Sequence, residues 1–176
     1  VPYLDAVIRA LHDGGLLSIA ATDMAPLCGV HPKACVRKYG GKPLRTEYCH
    51  ELAARLLIGC LVSIAVKHDI SVNPLFSYGA YNHVRTYVTV NYGAKHADKS
   101  LQDMGYVLHC FACLHRESQK GIIPRLKRIC SECSSKLDVA GPLWLGPLSN
   151  GEFCGKMKDQ VGGKSLHNEV KIRRMI

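Results

Sequence analysis

Cys110-Phe111-Ala112-Cys113 and Cys130-Ser131-Glu132-Cys133 form two Cys-x-x-Cys knuckles with 16 residues between them. This falls in the spacing window of a four-thiolate zinc site. Each knuckle delivers two sulfurs to one ion from a single tight turn, and two knuckles complete a tetrahedron. A closed tetrahedron leaves no place for water or substrate, so Zn2+ held by Cys110, Cys113, Cys130 and Cys133 would be structural rather than catalytic. Four buried or disulfide-paired cysteines are the competing account, and the regular double spacing favours the metal. His109 and His115 flank the first knuckle. Either could replace a cysteine, but a complete quartet makes this unnecessary, and both are expected at the surface or supporting the ligands.

The second constellation is Thr22-Asp23 with Pro26, directly after the apolar run Leu16-Leu17-Ser18-Ile19-Ala20-Ala21. A buried strand ending in polar residues and a Pro/Gly-containing loop is the usual setting for a site at the edge of an α/β sheet. As a local pattern, an ordinary turn accounts for these residues better, and Asp23 alone is no evidence of acid–base chemistry. The third is basic. Lys33, Arg37, Lys38 and Arg45 fall in one loop region, and Arg116, Arg125, Lys127 and Arg128 fall in or beside the interval between the knuckles, where Glu117 is the single acid. Cations gathered in two loops rather than mixed with acids suit phosphate contacts better than a solvated surface. The formal net charge of +9 agrees with a polyanionic partner. Tyr39 and Trp144 could stack on bases, although packing is the commoner fate of a lone aromatic among Pro and Leu.

The elements that must position these groups follow from periodicity. Residues 3–13 read as an amphipathic helix on Leu4, Val7, Ile8 and Leu11, closed by Gly14-Gly15. Residues 16–21 have strand length. Residues 24–43 hold Pro26, Gly29, Pro32, Gly40, Gly41 and Pro43 and read as largely irregular. Thr46 is a candidate cap for a long helix to about Lys67, whose C-terminal half is apolar nearly all round and so must be buried. Residues 70–77 and 83–92 read as a β-hairpin with Val84, Thr86, Val88 and Val90 on one face. The order helix, strand, helix, hairpin favours parallel strands with an antiparallel strand at or near the sheet edge. Residues 93–102 read as a polar linker, 107–137 as the zinc module, 140–148 as a Pro/Gly-broken apolar segment, and 152–157 as the start of a helix stopped at Gly162-Gly163. Residues 171–176 read as a basic tail or the start of a further domain. No G-x-G-x-x-G loop follows any strand.

At 176 residues the chain has room for one ordinary domain with a small module, or two small domains. With 47% hydrophobic and 21% charged residues it is globular rather than low-complexity. Five further cysteines, Cys28, Cys35, Cys49, Cys60 and Cys154, show no paired spacing. The odd total, the zinc spacing and the lack of a signal-peptide pattern point to a reducing, cytoplasmic compartment. The apolar run 56–66 is shorter than the roughly 20 residues a bilayer requires, so no membrane segment is expected. The chain opens on Val1-Pro2 without a methionine, as a fragment or truncated product would.

Four stretches together go beyond generic pattern: Pro2-Tyr3-Leu4-Asp5-Ala6; Ala21-Thr22-Asp23-Met24-Ala25-Pro26-Leu27-Cys28-Gly29; Lys38-Tyr39-Gly40 with Arg45-Thr46-Glu47-Tyr48-Cys49-His50-Glu51; and Gly141-Pro142-Leu143-Trp144-Leu145-Gly146. In this order, with the cysteine quartet before the last, the chain resembles the tRNA (guanine-26-N2)-dimethyltransferases, the archaeal form more closely because its knuckles are complete. The resemblance runs to about Phe153. It implies an α/β fold: the C-terminal half of a class I (Rossmann-like) methyltransferase sheet over 1–93, then a zinc-binding, tRNA-contacting region over 94–176. It implies S-adenosylmethionine as methyl donor, the exocyclic amine of guanine 26 in tRNA as acceptor in two successive transfers, and no role for DNA. Thr22, Asp23 and Pro26 are then expected nearest the target base. Family members carry an Asp-Pro-aromatic-Gly motif and the main cofactor loop upstream of the stretch beginning here at Val1, so the residues of the cofactor pocket are unassigned. The alternative on the same evidence is a non-catalytic, zinc-stabilised RNA-binding remnant.

Overall fold

The first turn of helix formers after Tyr3 gives α1 (Leu4–Ala10), which buries Leu4 and Ile8. Gly14, with φ 74, turns the chain into β1 (Leu16–Ala21). The computed structural model describes residues 3–162, 164 and 167–176. Val1, Pro2 and Gly163, on which parts of the sequence reading rest, lie outside the described residues. The segment read as irregular contains two helices, α2 (Met24–Leu27) and α3 (Pro32–Tyr39). Two of the breakers there mark the ends of α3: Pro32 opens it, where its missing N–H costs nothing, and Gly40 closes it with φ 74. Cys35 and Tyr39, four residues apart, are the buried stripe of α3.

The long helix α4 (Cys49–Ala65) starts two residues later than expected, with Tyr48 rather than Thr46 at the cap position and no side-chain cap. The Thr46 carbonyl, not its hydroxyl, accepts the Cys49 N–H at 3.2 Å. A 3-10 turn, Val66–His68, ends it. Strands β2 (Ile70–Ala80) and β3 (His83–Tyr92) follow, joined by Tyr81-Asn82, a tighter turn than the sequence suggested. Val84, Thr86, Val88 and Val90 are all fully buried on one face of β3, as the two-residue period requires. The sheet order is β1-β3-β2, and both pairings are antiparallel. β1 and β2 therefore run in the same direction, as helical crossovers favour, but β3 folds back between them rather than lying at the edge.

The expected linker at 93–102 is instead helix α5 (Ala94–Gln102), which buries Ala97 and Ser100 against β2; the Ser100 hydroxyl accepts the Val72 N–H at 3.2 Å. A second sheet has the order β5-β4-β6, built from β4 (Met104–His109), β5 (Arg116–Lys120) and β6 (Asp138–Trp144). The Pro/Gly-rich 140–148 region supplies β6. Pro142 is tolerated because β6 is an edge strand in this sheet, beside the irregular register between Gly105 and Val107. The chain continues as α6 (Gly151–Gly162) and α7 (Glu169–Met175), so the basic end is helical.

One apolar core joins the two sheets. Leu52, Leu56, Leu57, Ile58 and Leu61 of α4 pack with Val84, Val88 and Val90 of β3 and with Ala140, Leu143 and Trp144 of β6. This double burial explains why α4 is apolar all round. By length and composition alone Cys49–His68 would also suffice to cross a bilayer, at mean hydropathy 1.7, but 61% of its most apolar window is buried inside the protein. Contact between α4 and β6 is direct at Gly59, where a β-carbon would stand 3.0 Å from the Leu143 Cα and 3.2 Å from the Trp144 nitrogen. Replacing Gly59 by Val must push helix and strand apart, and we expect Gly59→Val to cost about 1–3 kcal/mol in urea denaturation.

Candidate functional site: a four-cysteine centre and a pocket at Asp23

Strand β4 carries the chain into the first knuckle and β5 carries it out. The Cys110 N–H donates to the His115 carbonyl at 2.8 Å, and the Leu114 N–H donates to the Cys110 carbonyl at 2.8 Å. The second knuckle repeats this bonding at the same offsets, from Cys130 to Ser135 at 2.8 Å and from Ser134 to Cys130 at 3.0 Å. Leu114 and Ser134, one residue past each second cysteine, both adopt left-handed backbone with φ 63 and φ 58. These turns bring the four sulfurs within 4.8 Å of one another. Cys110 Sγ lies 3.4 Å from Cys133 Sγ, and Cys113 Sγ lies 3.6 Å from Cys130 Sγ. Sulfurs at about 2.3 Å from a tetrahedral zinc would be about 3.8 Å apart, so the cage has the size for such an ion. Hydrogen bonds from the Ser135 side chain and main chain lower the Cys133 thiol, while, against a bond from the His115 main chain, the hydrogen bond to Cys133 raises Cys113, so the shared charge settles on Cys133.

The apolar core beneath the quartet is small, with Leu108, Cys110, Cys130 and Leu137 fully enclosed. His109 is not at the surface. It is fully buried, its Nδ1 3.1 Å from Tyr48 Oη, with its ring edge-on to Phe111 at 4.5 Å and to Tyr48 at 5.6 Å. His109 therefore couples the knuckle to the entry of α4. His115 lends its main-chain carbonyl to the first turn.

Asp23 stands at the start of α2, beyond the end of β1. Its Oδ2 accepts from Lys38 Nζ at 2.8 Å and from Tyr39 Oη at 3.3 Å. The Lys38 hydrogen bond, then its charge and the Tyr39 hydroxyl, hold the carboxyl below the usual carboxylate range against a partial loss of hydration. Burial first, and then the Asp23 charge, push the Tyr39 phenol the other way, so it remains a donor. Thr22 and Asp23 line a cavity of about 430 Å3 with Leu4, Ile19, Arg37, Lys38, Tyr39 and Leu57. Pro26 does not line it: one turn along α2, it uses its carbonyl to accept the Gly29 N–H at 3.1 Å. Lys38 and Tyr39 join Asp23 across 15 and 16 residues of chain, a pairing that local sequence does not encode. Tyr39 and Trp144 are 4% exposed and pack in the core; the Trp144 indole N–H donates to the Pro147 carbonyl at 3.0 Å.

Of the basic residues, Lys33 and Arg37 project from α3, Arg45 precedes α4, and Arg125, Lys127 and Arg128 lie on the segment between the knuckles, all exposed. Arg116 contacts Glu47 at 3.4 Å and lies 4.8 Å over the Tyr48 ring; Lys127 pairs with Glu117 at 3.1 Å. Among the described residues no carboxylate pairs with Lys33, Arg37, Arg45, Arg125 or Arg128. Those cations are available to a polyanion.

The Asp23 pair has a measurable signature. A carboxyl with a depressed folded pKa stabilises the protein above its unfolded value of about 4, and that contribution fades as pH falls through the lower folded value. Lys38→Met should move the Asp23 titration, followed by carbon NMR, up toward the ordinary range and shift acid unfolding to higher pH. Tyr39→Phe should do so less.

A family model described as N2,N2-dimethylguanosine tRNA methyltransferase matches residues 1–176. The tRNA (guanine(26)-N(2))-dimethyltransferase of Methanothermobacter thermautotrophicus is 38% identical over 175 residues, covering 99% of this chain and 46% of that protein. The tRNA (guanine(26)-N(2)/guanine(27)-N(2))-dimethyltransferase of Aquifex aeolicus is 37% identical over 161 residues, covering 92% and 41%. The structure of Trm1 from Pyrococcus horikoshii with S-adenosyl-L-methionine superposes with TM-score 0.87 at 32% identity, over 98% of this chain and 44% of that one. The chain thus spans slightly less than half the length of the relatives it matches. With this match across its full extent, the chain belongs to the N2,N2-dimethylguanosine tRNA methyltransferase family.

Proposed function

We propose that this chain serves a tRNA guanine-N2-methyltransferase that methylates guanine 26 once and then again. The observation that carries the reading is the family match along all 176 residues, with a carboxylate-bearing cavity at the Thr22-Asp23 turn. The β1-β3-β2 order, with an antiparallel hairpin strand folded back against β1, suits the later part of a class I methyltransferase sheet over 1–93. Residues 94–176 then form the zinc-binding, tRNA-contacting region, joined to it by the packing of α4 on β6.

S-adenosylmethionine, when bound, supplies a methyl group on a positively charged sulfur. The protein's task is to aim the exocyclic nitrogen of guanine along the methyl–sulfur axis, because in-line displacement rewards alignment. Asp23 suits this task. Its carboxylate, kept ionised by Lys38 and Tyr39, accepts a hydrogen bond from the amine N–H and turns the nitrogen lone pair outward. A depressed pKa fits an acceptor that orients the amine better than a base that removes its proton beforehand. Thr22 is placed beside it on the cavity wall, and Pro26 holds the following turn. A guanine inside a helix must leave its stack to reach such a cavity, which costs a few kcal/mol. Lys33, Arg37, Lys38, Arg45, Arg116, Arg125, Lys127 and Arg128 would offset that cost through the backbone, with Lys38 shared between phosphate and Asp23.

We propose that Cys110, Cys113, Cys130 and Cys133 hold a structural Zn2+. The sulfur spacing and the paired knuckle turns support it, as does the small core that the ion would reinforce.

Two measurements test these readings. Asp23→Ala in the complete enzyme should lower both methyl transfers about 100-fold or more; two unchanged rates would overturn the assignment of Asp23. Cys130→Ser should abolish retention of zinc at the quartet and expose 105–120 to hydrogen exchange while the β3 core stays protected. Full protection of that segment after chelation would show that the sulfurs need no ion.

A further inference from the structure

Outside the quartet, a second set of metal-ligating side chains converges where α2 meets α4. Cys28 ends α2, while Cys49 and His50 are the first residues of α4. Their ligand atoms all lie within 4.8 Å of one another, and Cys49 Sγ is 3.9 Å from His50 Nδ1. The geometry points to a second metal site at Cys28, Cys49 and His50, suited to a borderline or soft closed-shell ion such as Zn2+.

Backbone contacts that side chains would block hold this cluster in place. Gly29, next to Cys28, has φ 86, and a β-carbon there would fall 2.7 Å from the Arg45 nitrogen. The end of α2 is therefore pressed onto the strap that leads to Cys49. Gly79 near the end of β2 lies against His50, with the His50 Cβ 3.2 Å and Cδ2 3.7 Å from where its own β-carbon would be. Three elements, α2, α4 and β2, thus fix three ligands. Two thiolates and one imidazole form a recognised three-ligand set for zinc that leaves a fourth position for water. His50 is exposed, so an ion could reach the cluster from solvent on that side.

A divalent ion that takes Cys28 and Cys49 as thiolates releases their protons to solvent, so binding tightens as pH rises. Its effect would be mechanical: the ion would clamp the helix that starts at Asp23 to α4.

The test is metal titration of the purified, fully reduced protein from the chelated state, with Zn2+ for stoichiometry and Co2+ for its thiolate charge-transfer band. The protein is expected to take one more equivalent than Cys28→Ser or His50→Ala, with a smaller Co2+ band in Cys28→Ser. His50 is exposed, so His50→Ala keeps the fold if Cys28→Ser does not. Equal stoichiometry in all three proteins would overturn the site, as would a Cys28–Cys49 disulfide that forms in air and leaves added Zn2+ unable to block it. Failure of the quartet reading would instead remove one equivalent from every protein alike, so the two proposals fail separately.

Discussion

The structure depends on α4 being buried on opposite sides at once. One side, on which Leu52 and Leu56 share the face of Gly59, meets β6 with no side chain between at Gly59, and the other carries residues such as Leu57 and Leu61 into the core with β3. A helix in that position cannot present a polar face along its length, and its hydropathy follows from the packing rather than from a lipid environment. Where the helix does carry charge, the charge is used locally. Arg55, only 19% exposed, donates to the Trp144 carbonyl at 3.1 Å and the Gly146 carbonyl at 3.0 Å while pairing with Glu51. It satisfies carbonyls at the end of β6 and locks the strand to the helix. Lys42 and Gly141 add a reciprocal pair of 2.9 Å backbone bonds between the loop before α4 and the same strand.

With that frame in place, the two candidate centres rest on different physics. The Asp23 cavity is an electrostatic arrangement at the end of β1: a carboxylate is held charged by a lysine in water and a tyrosine from the core. It needs α3 to lie correctly against α2 and α4, which the buried Cys35 and Tyr39 secure. The quartet stands on a module with a small apolar core, and its four sulfurs lie close enough together for one ion to cross-link the irregular segment. His109 and Tyr48 connect the two regions by setting the knuckle against the entry of α4.

Much of this was legible residue by residue. The knuckles, the β3 alternation and the burial of α4 rest on spacing and hydrophobic period, which are local properties. The segment read as irregular, 24–43, holds two short helices, and the polar linker read at 93–102 is a third, with Pro32, Gly40 and Gly93 at helix ends. Breakers at the boundaries of an eight- or nine-residue helix look the same in sequence as breakers inside a loop. The stretch around Trp144 reads in sequence only as apolar and Pro/Gly-broken, since Pro142 is acceptable only on an edge strand and edge status is a property of the sheet.

The sequence by itself determined the ligand types and spacing of the quartet, the family motifs around Asp23, and which strand face is apolar, because each needs only neighbours along the chain. The tertiary structure decided that β3 lies between β1 and β2, that Lys38 and Tyr39 reach Asp23 while Pro26 does not, and that His109 is buried under a tyrosine. It also decided that Cys28 meets Cys49 and His50. These are encounters between residues distant in sequence, set by how α3 and α4 cross the sheets, and no local period carries that information.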